Sequence, residues 1–164
     1  MSFPLPDVSH LPLNDLLSLR GRKAVITGGA QGLGFAVASR FAEAGADVVL
    51  ADVKLDIAES SAADLADKFG IRALAVETDV TDAQAVATLA DKTVETLGGI
   101  DIWVNNAGIF PAVPSVDMPI EQWDQVFSIN TRGAFLGARE AAKCMGESGG
   151  AIINMVSTAG FQSP

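Results

Sequence analysis

The 164-residue sequence contains no tyrosine, one cysteine and one histidine. A single cysteine cannot form an internal disulfide, which is typical of a protein in a reducing compartment. The histidine, His10, has no second histidine and no cysteine nearby, so the sequence offers no set of ligands for a metal and no serine–histidine pair. We therefore expect a cytoplasmic protein that binds no metal, and we expect Cys144, in the middle of a helix, to be a buried, inert thiol.

Basic residues are also scarce, with 11 Lys and Arg against 20 Asp and Glu, for a net charge of -9. An acidic chain repels the phosphates of nucleic acids and the headgroups of anionic lipids. No run approaches the roughly 18 apolar residues that a membrane-spanning helix needs. Nucleic acid and membrane are thus disfavoured as main partners, whereas a hydrophobic fraction of 49% predicts one globular domain with a substantial core.

Residues 1–20 differ from the rest of the chain because they contain three prolines and no continuous apolar stretch. They lack the pattern of a secretory signal. We expect residues 1–20 to form an N-terminal arm and residues 21–164 to form the domain. The arm is predicted to pack on the domain through its leucines, which are Leu11, Leu13, Leu16, Leu17 and Leu19.

Beyond the arm, short β-branched runs alternate with longer stretches of helical period, which is typical of βαβ units and a parallel sheet. The predicted strands are residues 24–26, 48–50, 73–76, 100–104 and 151–156. Each is almost continuously apolar, as expected of strands covered by helices on both faces. The predicted fold class is α/β, a Rossmann-type doubly wound parallel sheet in a three-layer αβα arrangement. Thr81 and Gln84 have the spacing of a capping box that opens the third helix.

The turn after the first predicted strand is rich in glycine, with the sequence Thr-Gly-Gly-Ala-Gln-Gly-Leu-Gly over residues 27–34. Backbone amides and a helix N-terminus converge at such a turn and attract a phosphate. The predicted cofactor residues here are Gly28, Gln31, Gly32, Leu33 and Gly34. Taken alone, the turn is equally well explained as a tight connection, because Val37 stands where the generic fingerprint has its third glycine.

Acidic residues follow the next two predicted strands. A dinucleotide site has a carboxylate about 20 residues beyond the glycines, where it accepts hydrogen bonds from the adenosine ribose, and Asp52 has that position. Its carboxylate would repel a 2′-phosphate, which favours NAD over NADP; Val53 adds no positive charge, whereas the nearby Lys54 could offset the repulsion. A loop carboxylate or a helix cap is the less favoured alternative for Asp52. Asp79 and Val80 are predicted to contact adenine, and capping of the next helix explains Asp79 nearly as well.

The tract Asn105-Asn106-Ala107-Gly108 directly follows the fourth predicted strand. Together with the glycine turn, the two acids, Asn130 and Ser157, it resembles the short-chain dehydrogenase/reductase family, in the same order from about Lys23 to the end. The resemblance implies that Asn106, Ala107 and Gly108 line the cofactor and that Asn105 is mainly structural.

The resemblance also implies a catalytic set. Asn130 would hold a water in a proton relay, and Ser157 would bind the substrate oxygen and stabilise developing negative charge. From the residues alone, Asn130 could instead be an exposed helical position or a kink, and Ser157 could be a cap. The family's general acid/base is a tyrosine, followed one helical turn later by a lysine, and both are expected beyond Ser157. Since the sequence has no tyrosine, we expect the chain to be the N-terminal part of a longer enzyme and to be inactive by itself.

The predicted sheet order, 3-2-1-4-5, leaves the apolar fifth strand at an edge, incomplete on its C-terminal side. The complete protein would transfer a hydride between NAD and a secondary alcohol or ketone, with a polyol, a sugar or an oxoacyl compound as substrate. It is expected to be a homodimer or homotetramer. The alternatives are a dinucleotide-binding or regulatory module without catalysis and, less favoured, a scaffold that keeps only the fold.

Overall fold

A computed structural model describes residues 7–157. Its sheet has five parallel strands in the order β3-β2-β1-β4-β5, which confirms the predicted fold and strand order. The strands are β1 (Lys23–Thr27), β2 (Asp47–Asp52), β3 (Ala73–Glu77), β4 (Ile102–Asn105) and β5 (Ala151–Asn154).

Helices connect the strands and cover both faces of the sheet. They are α1 (Leu13–Leu17), α2 (Gly32–Glu43), α3 (Leu55–Phe69), α4 (Ala83–Leu97), α5 (Ile120–Phe127), a π-helical turn (Ser128–Gly133), α6 (Ala134–Met145) and a 3-10 turn (Gly146–Ser148). Successive strand residues point to opposite faces. Ile26 and Leu50 therefore pack with α2 and α3, while Val25 and Trp103 pack with α4 and α6. The result is a three-layer αβα arrangement with a core on each side of the sheet.

Strand β5 is shorter than predicted, because it ends at Asn154 and not at residue 156. Among the described residues it pairs only with β4, in a register that places Asn105 beside Asn154. Ile152 and Ile153 are 37% and 40% exposed. The strand therefore lies at an edge of the sheet formed by residues 7–157.

The helix cap before α4 differs from the predicted capping box. Asp82 is the N-cap residue, and its carboxylate accepts a hydrogen bond from the Gln84 N–H at 2.8 Å. The Thr81 hydroxyl and N–H instead donate to Asp79 at 2.7 and 2.8 Å. The box prediction was wrong because an aspartate directly before the helix is an equally strong cap and lies one residue nearer to it.

The N-terminal arm packs less than predicted. Leu19 contacts the core beside α2 and α3, and its N–H donates to the Ala44 carbonyl at 2.8 Å. The other four leucines are exposed by 40% to 68% (Leu11, Leu13, Leu16 and Leu17). The prediction was wrong for these four because α2 and α3 already cover the face of the sheet beside which Leu19 packs. No helix within residues 7–157 combines the length and apolar character needed to cross a bilayer.

Candidate functional site

A cavity of about 580 Å³ lies at the carboxyl ends of the central strands. It brings together all the predicted cofactor residues, which are Gly28, Gln31, Gly32, Leu33, Gly34, Asp52, Asp79, Val80, Asn106, Ala107 and Gly108. Five residues outside that predicted set complete the lining: Val53, Lys54, Thr78, Ile109 and Ile129. Residues from four separate loops thus converge at the edge where doubly wound folds bind ligands.

A second depression, of about 590 Å³, lies at the opposite, amino end of the sheet. Its Arg72 guanidinium donates to Asp47 at 2.6 and 2.9 Å and to the carbonyls of Thr96 and Leu97 at 3.2 and 3.3 Å. The charge of Arg72 is therefore used to join β2 to the end of α4. We place the functional site at the carboxyl end.

The glycine turn packs too closely for side chains. A Cβ on Gly34 would lie 2.1 Å from the Gly28 carbonyl oxygen, and Gly28 itself has a φ of +62°, in the left-handed region. Helix α2 begins at Gly32, and the side chain of its N-cap residue, Gln31, makes no capping hydrogen bond. The first N–H groups of the helix are thus left for a ligand, a geometry that suits phosphate.

Asn106 fastens the fourth strand to this turn. Its side-chain amide donates to the carbonyls of Thr27 and Gly28, at 3.0 and 3.1 Å. The backbone N–H groups of Asn106 and Ala107 donate to the Thr27 hydroxyl, at 3.0 and 3.1 Å. Thr27 therefore organises the site although it was not among the predicted residues. Its position at the end of β1, directly before the glycines, was the available signal.

Asn105 belongs to a buried network behind the cavity. Its Oδ1 accepts from the Trp103 indole at 2.8 Å, and its Nδ2 donates to the Ala134 carbonyl at 3.0 Å and to Asn154 Oδ1 at 2.9 Å. These bonds join β4 to β5 and to α6. This geometry agrees with the structural role expected of Asn105.

The Asp52 carboxylate lies at the end of β2 and is held by two backbone amides. One oxygen accepts from the Ala30 N–H and the other from the Lys54 N–H, each at 3.1 Å. A carboxylate oxygen has room for a further hydrogen bond. The side chain is therefore fixed in the cavity wall and can still accept from a ligand hydroxyl.

Asp79 and Val80 form the wall that follows β3. Asp79 accepts from Thr81 and so stabilises the turn before α4, whereas the cap itself is Asp82. Val80 is 8% exposed and packs against Gly133, where a Cβ would lie 2.9 Å from Val80 Cγ2. The close contact ties this wall to the π-helical turn.

Asn130 lies in the π-helical turn, which the helical period of the sequence did not predict. Its Oδ1 accepts from the Ile109 N–H and its Nδ2 donates to the Ile109 carbonyl, both at 2.9 Å. Both ends of the amide are therefore used to hold the loop after β4. π-Helical turns are rare and occur often at functional sites.

Ser157 follows β5 by three residues and is exposed. Because β5 runs parallel to β4, Ser157 comes after the strand end that lies at the same edge as the cavity. It is not among the residues that line the cavity. The segment after it, residues 158–164, lies outside the described residues.

Two further observations concern reactive groups. Cys144 is only partly buried at the edge of a core cluster, so the prediction of a buried thiol was wrong in degree. Burial still raises the pKa of the thiol, and the nearby Asp91 and Glu140 carboxylates raise it further, so the thiolate is disfavoured at neutral pH. Within residues 7–157, no three side chains of His, Cys, Asp or Glu come together as a metal site would require.

The model of the short chain dehydrogenase family matches residues 22–164. Two similar curated proteins are an uncharacterized oxidoreductase of Thermotoga maritima and the sorbitol dehydrogenase of Cereibacter sphaeroides. The first is 39% identical over 88% of this chain and 57% of its own length, and the second 38% identical over 88% and 56%. The crystal structure of a short-chain type dehydrogenase/reductase from Mycobacterium marinum matches with a TM-score of 0.89 and 38% identity, over 94% of this chain and 63% of that one.

The chain belongs to the short-chain dehydrogenase/reductase family, a family of oxidoreductases that bind nicotinamide dinucleotides. It spans a little over half the length of the two curated relatives.

Proposed function

We propose that this chain binds NAD in the cavity at the carboxyl ends of the strands. The observation that carries the proposal is the joining of Asn106 to Thr27 and Gly28, which holds the glycine turn open beside the N-terminus of α2. A pyrophosphate needs this combination of closely approaching backbone and free amides. The adenosine ribose would lie at Asp52, adenine at Asp79 and Val80, and the nicotinamide ribose near Asn106, Ala107 and Gly108.

The preference for NAD over NADP rests on Asp52. Its carboxylate is fixed by the Ala30 and Lys54 amides and so remains where a 2′-hydroxyl would donate to it. A 2′-phosphate at the same place would bring two negative charges together. Val53, which is 61% exposed, offers no positive charge to offset them, and Lys54, the one cation among the lining residues, comes one position later.

We further propose that the whole enzyme to which this segment corresponds oxidises a secondary alcohol or reduces the matching ketone. The nicotinamide supplies or accepts the hydride when it is bound. Ser157 would orient the substrate oxygen, and Asn130 would act as a positioning residue by fixing Ile109. Similarity to a sorbitol dehydrogenase supports a polyol or sugar substrate ahead of an oxoacyl compound.

The 164 residues contain no tyrosine to serve as the acid/base. This absence favours a second function for the 164-residue chain itself, namely dinucleotide binding without catalysis. We therefore expect the purified chain to bind NADH and to show no NAD-dependent oxidation of sorbitol. Turnover of sorbitol by the purified chain would contradict the expected inactivity.

Substitution Asp52→Asn tests the proposed cofactor site. The asparagine keeps the size of the side chain and an oxygen for the Ala30 N–H, but it removes the charge. We expect NADH affinity to fall by about tenfold to a hundredfold, the range for a hydrogen bond to a charged group, and the preference over NADPH to narrow. Fluorescence titration with both reduced cofactors measures each effect.

Asp64→Asn is the matched control, because Asp64 is exposed on α3 and is not among the residues that line the cavity. It should leave both affinities unchanged. Unchanged NADH affinity and cofactor preference in Asp52→Asn would contradict the proposed role of Asp52.

We also propose that the complete protein is a homo-oligomer. Trp123, Phe127 and Phe135 are 50%, 47% and 62% exposed on one side of α5 and α6, and the rings of Trp123 and Phe127 stack with centroids 4.6 Å apart. An exposed aromatic cluster of this kind is typical of a protein–protein contact.

A further inference from the structure

The π-helical turn Ser128–Gly133 contacts both walls of the cavity. Asn130 holds Ile109 on the wall that follows β4 through two hydrogen bonds of 2.9 Å. Ile129 lines the cavity between the walls. On the far side, Gly133 packs against Val80, and the Arg132 guanidinium donates to the Thr81 carbonyl.

Few other hydrogen bonds join the wall that follows β3 to the rest of the cavity. Thr78, directly before Asp79, donates its N–H to the Asp52 carbonyl at 3.0 Å. Thr81 and Asp82 bond back to Asp79 within the same turn, at distances of 2.7 to 3.0 Å. Those internal bonds set the shape of the turn, but not its distance from the rest of the cavity. The contacts of Arg132 and Gly133 reach across that distance.

From this arrangement we infer that the π-helical turn is a brace between the two walls, and that Arg132 is a positioning residue for the adenine end of the site. Side chains two positions apart on a helix point in nearly opposite directions, so Asn130 and Arg132 reach different loops. The inference rests on the proposed dinucleotide site and adds a residue that is not among those lining the cavity.

Arg132→Ala tests the brace in the full 164-residue chain. The ligands are NADH, AMP and nicotinamide mononucleotide, titrated by calorimetry or by NMR. We expect the affinities for NADH and AMP to fall by about threefold to tenfold, the range for one hydrogen bond, while that for nicotinamide mononucleotide stays unchanged. Arg132→Lys, which can still donate to the Thr81 carbonyl, should recover part of the loss.

The two mononucleotides separate bracing from simple attraction of charge. Both carry a phosphate, so loss of a long-range attraction by Arg132 would weaken both. Equal losses for AMP and nicotinamide mononucleotide would therefore overturn the inference, as would unchanged AMP affinity. Arg40→Ala is the matched control, because Arg40 is also an exposed helical arginine with a bonded partner, Glu43, and should leave both affinities unchanged.

A measurement without ligand tests the brace independently of the proposed cofactor binding. Arg132→Ala should speed hydrogen exchange of the Thr78 amide, which donates to the Asp52 carbonyl at 3.0 Å and so joins this wall to the rest of the cavity, relative to the Arg40→Ala control. Failure of the unmodified chain to bind NADH and AMP would contradict the proposed function. Unchanged exchange at Thr78 would instead overturn the brace.

A second variant covers the case in which Arg132→Ala does not fold. Gly133→Ala would place a Cβ 2.9 Å from Val80 Cγ2. The added methyl group would displace Val80, and with it the wall that Arg132 also contacts. We expect the same selective loss of AMP affinity. Retention of full AMP affinity in Gly133→Ala would overturn the inference.

Discussion

Glu140 is an acidic side chain placed against the core, with only 8% of its side chain exposed. It accepts from Lys143 at 2.8 and 2.9 Å and from Arg139 at 2.9 Å. The hydrogen bond from Lys143 outweighs the opposing effect of burial, and Arg139 adds to it, so the pKa of Glu140 lies below its ordinary value of 4.5. The folded state therefore binds this proton more weakly than the unfolded state does.

The sign of the resulting pH dependence follows from that lowered pKa. Stabilisation by ionised Glu140 is complete above about pH 4.5 and is lost as the pH falls through the lower pKa of the folded state. We expect Glu140→Gln to lower the free energy of unfolding at pH 7 by about 1–3 kcal/mol. The difference from the unmodified protein should shrink below pH 4.5, which urea unfolding at several pH values measures.

The control for Glu140 is Glu43→Gln. Glu43 also pairs with a base one helical turn away, but its side chain is 53% exposed. An exposed pair contributes less than about 1 kcal/mol, so the control should change the stability little. A Glu140→Gln difference that stays constant from pH 7 down to pH 3 would show that ionisation of Glu140 does not stabilise the fold.

At the scale of single elements, the sequence predicts the strands well and the helix boundaries less well. Strands β1 to β4 are short apolar runs covered on both faces, and their length, their β-branched residues and the turns that flank them separate them from a buried helix. The same argument placed Gly28, Asp52 and Asn106 at strand ends, where the structure brings them together.

The π-helical turn was missed for a physical reason. Apolar side chains on either side of it, such as Phe127 and Phe135, fit a continuous helical period, and one extra residue in a turn changes that period only slightly. An available signal was Asn130 itself, because asparagine is not favoured inside a helix. The predicted packing of the arm leucines was wrong for a different reason: composition does not show which faces of a sheet are already covered.

Gly137 controls how closely α6 packs on the sheet. A Cβ there would lie 2.2 Å from Asn105 Oδ1 and 2.6 Å from Trp103 Nε1. Helix propensity alone favours alanine over glycine by about 1 kcal/mol. Overpacking costs about 1–3 kcal/mol, and disruption of the Trp103–Asn105 hydrogen bond costs about 1 kcal/mol more.

Packing therefore outweighs propensity, and we expect Gly137→Ala to lower the free energy of unfolding by about 1–3 kcal/mol, as measured by urea denaturation. Ser60→Ala on α3 is the control, because Ser60 is exposed and the change tests propensity without a close contact. It should be neutral or slightly stabilising. A gain in stability for Gly137→Ala would mean that α6 can move away from β4 at little cost.

At the scale of the whole molecule, the two core layers and the cavity are built from different parts of the same βαβ units. The apolar centres of the strands hold the layers together, while the polar residues follow the strand ends. Exposed apolar side chains among residues 7–157 include those of the edge strand β5, of the aromatic side of α5 and α6, and of the arm leucines. Of these, the aromatic surface offers the larger rigid side chains, which favours it as the contact between copies.

Phe127 is central to that surface, since it stacks on Trp123 and, with Phe135, lines a shallow groove of about 490 Å³. In a two-fold symmetric contact every substitution occurs twice, and a charge placed near the axis faces its own copy. We expect Phe127→Glu to convert the proposed oligomer into single chains, as measured by light scattering after size-exclusion chromatography.

Leu13→Glu is the control, because Leu13 is 68% exposed on α1 and lies outside this surface, so it should leave the oligomeric mass unchanged. An unchanged oligomeric mass in Phe127→Glu would place the contact elsewhere, and β5 would then be the surface to test.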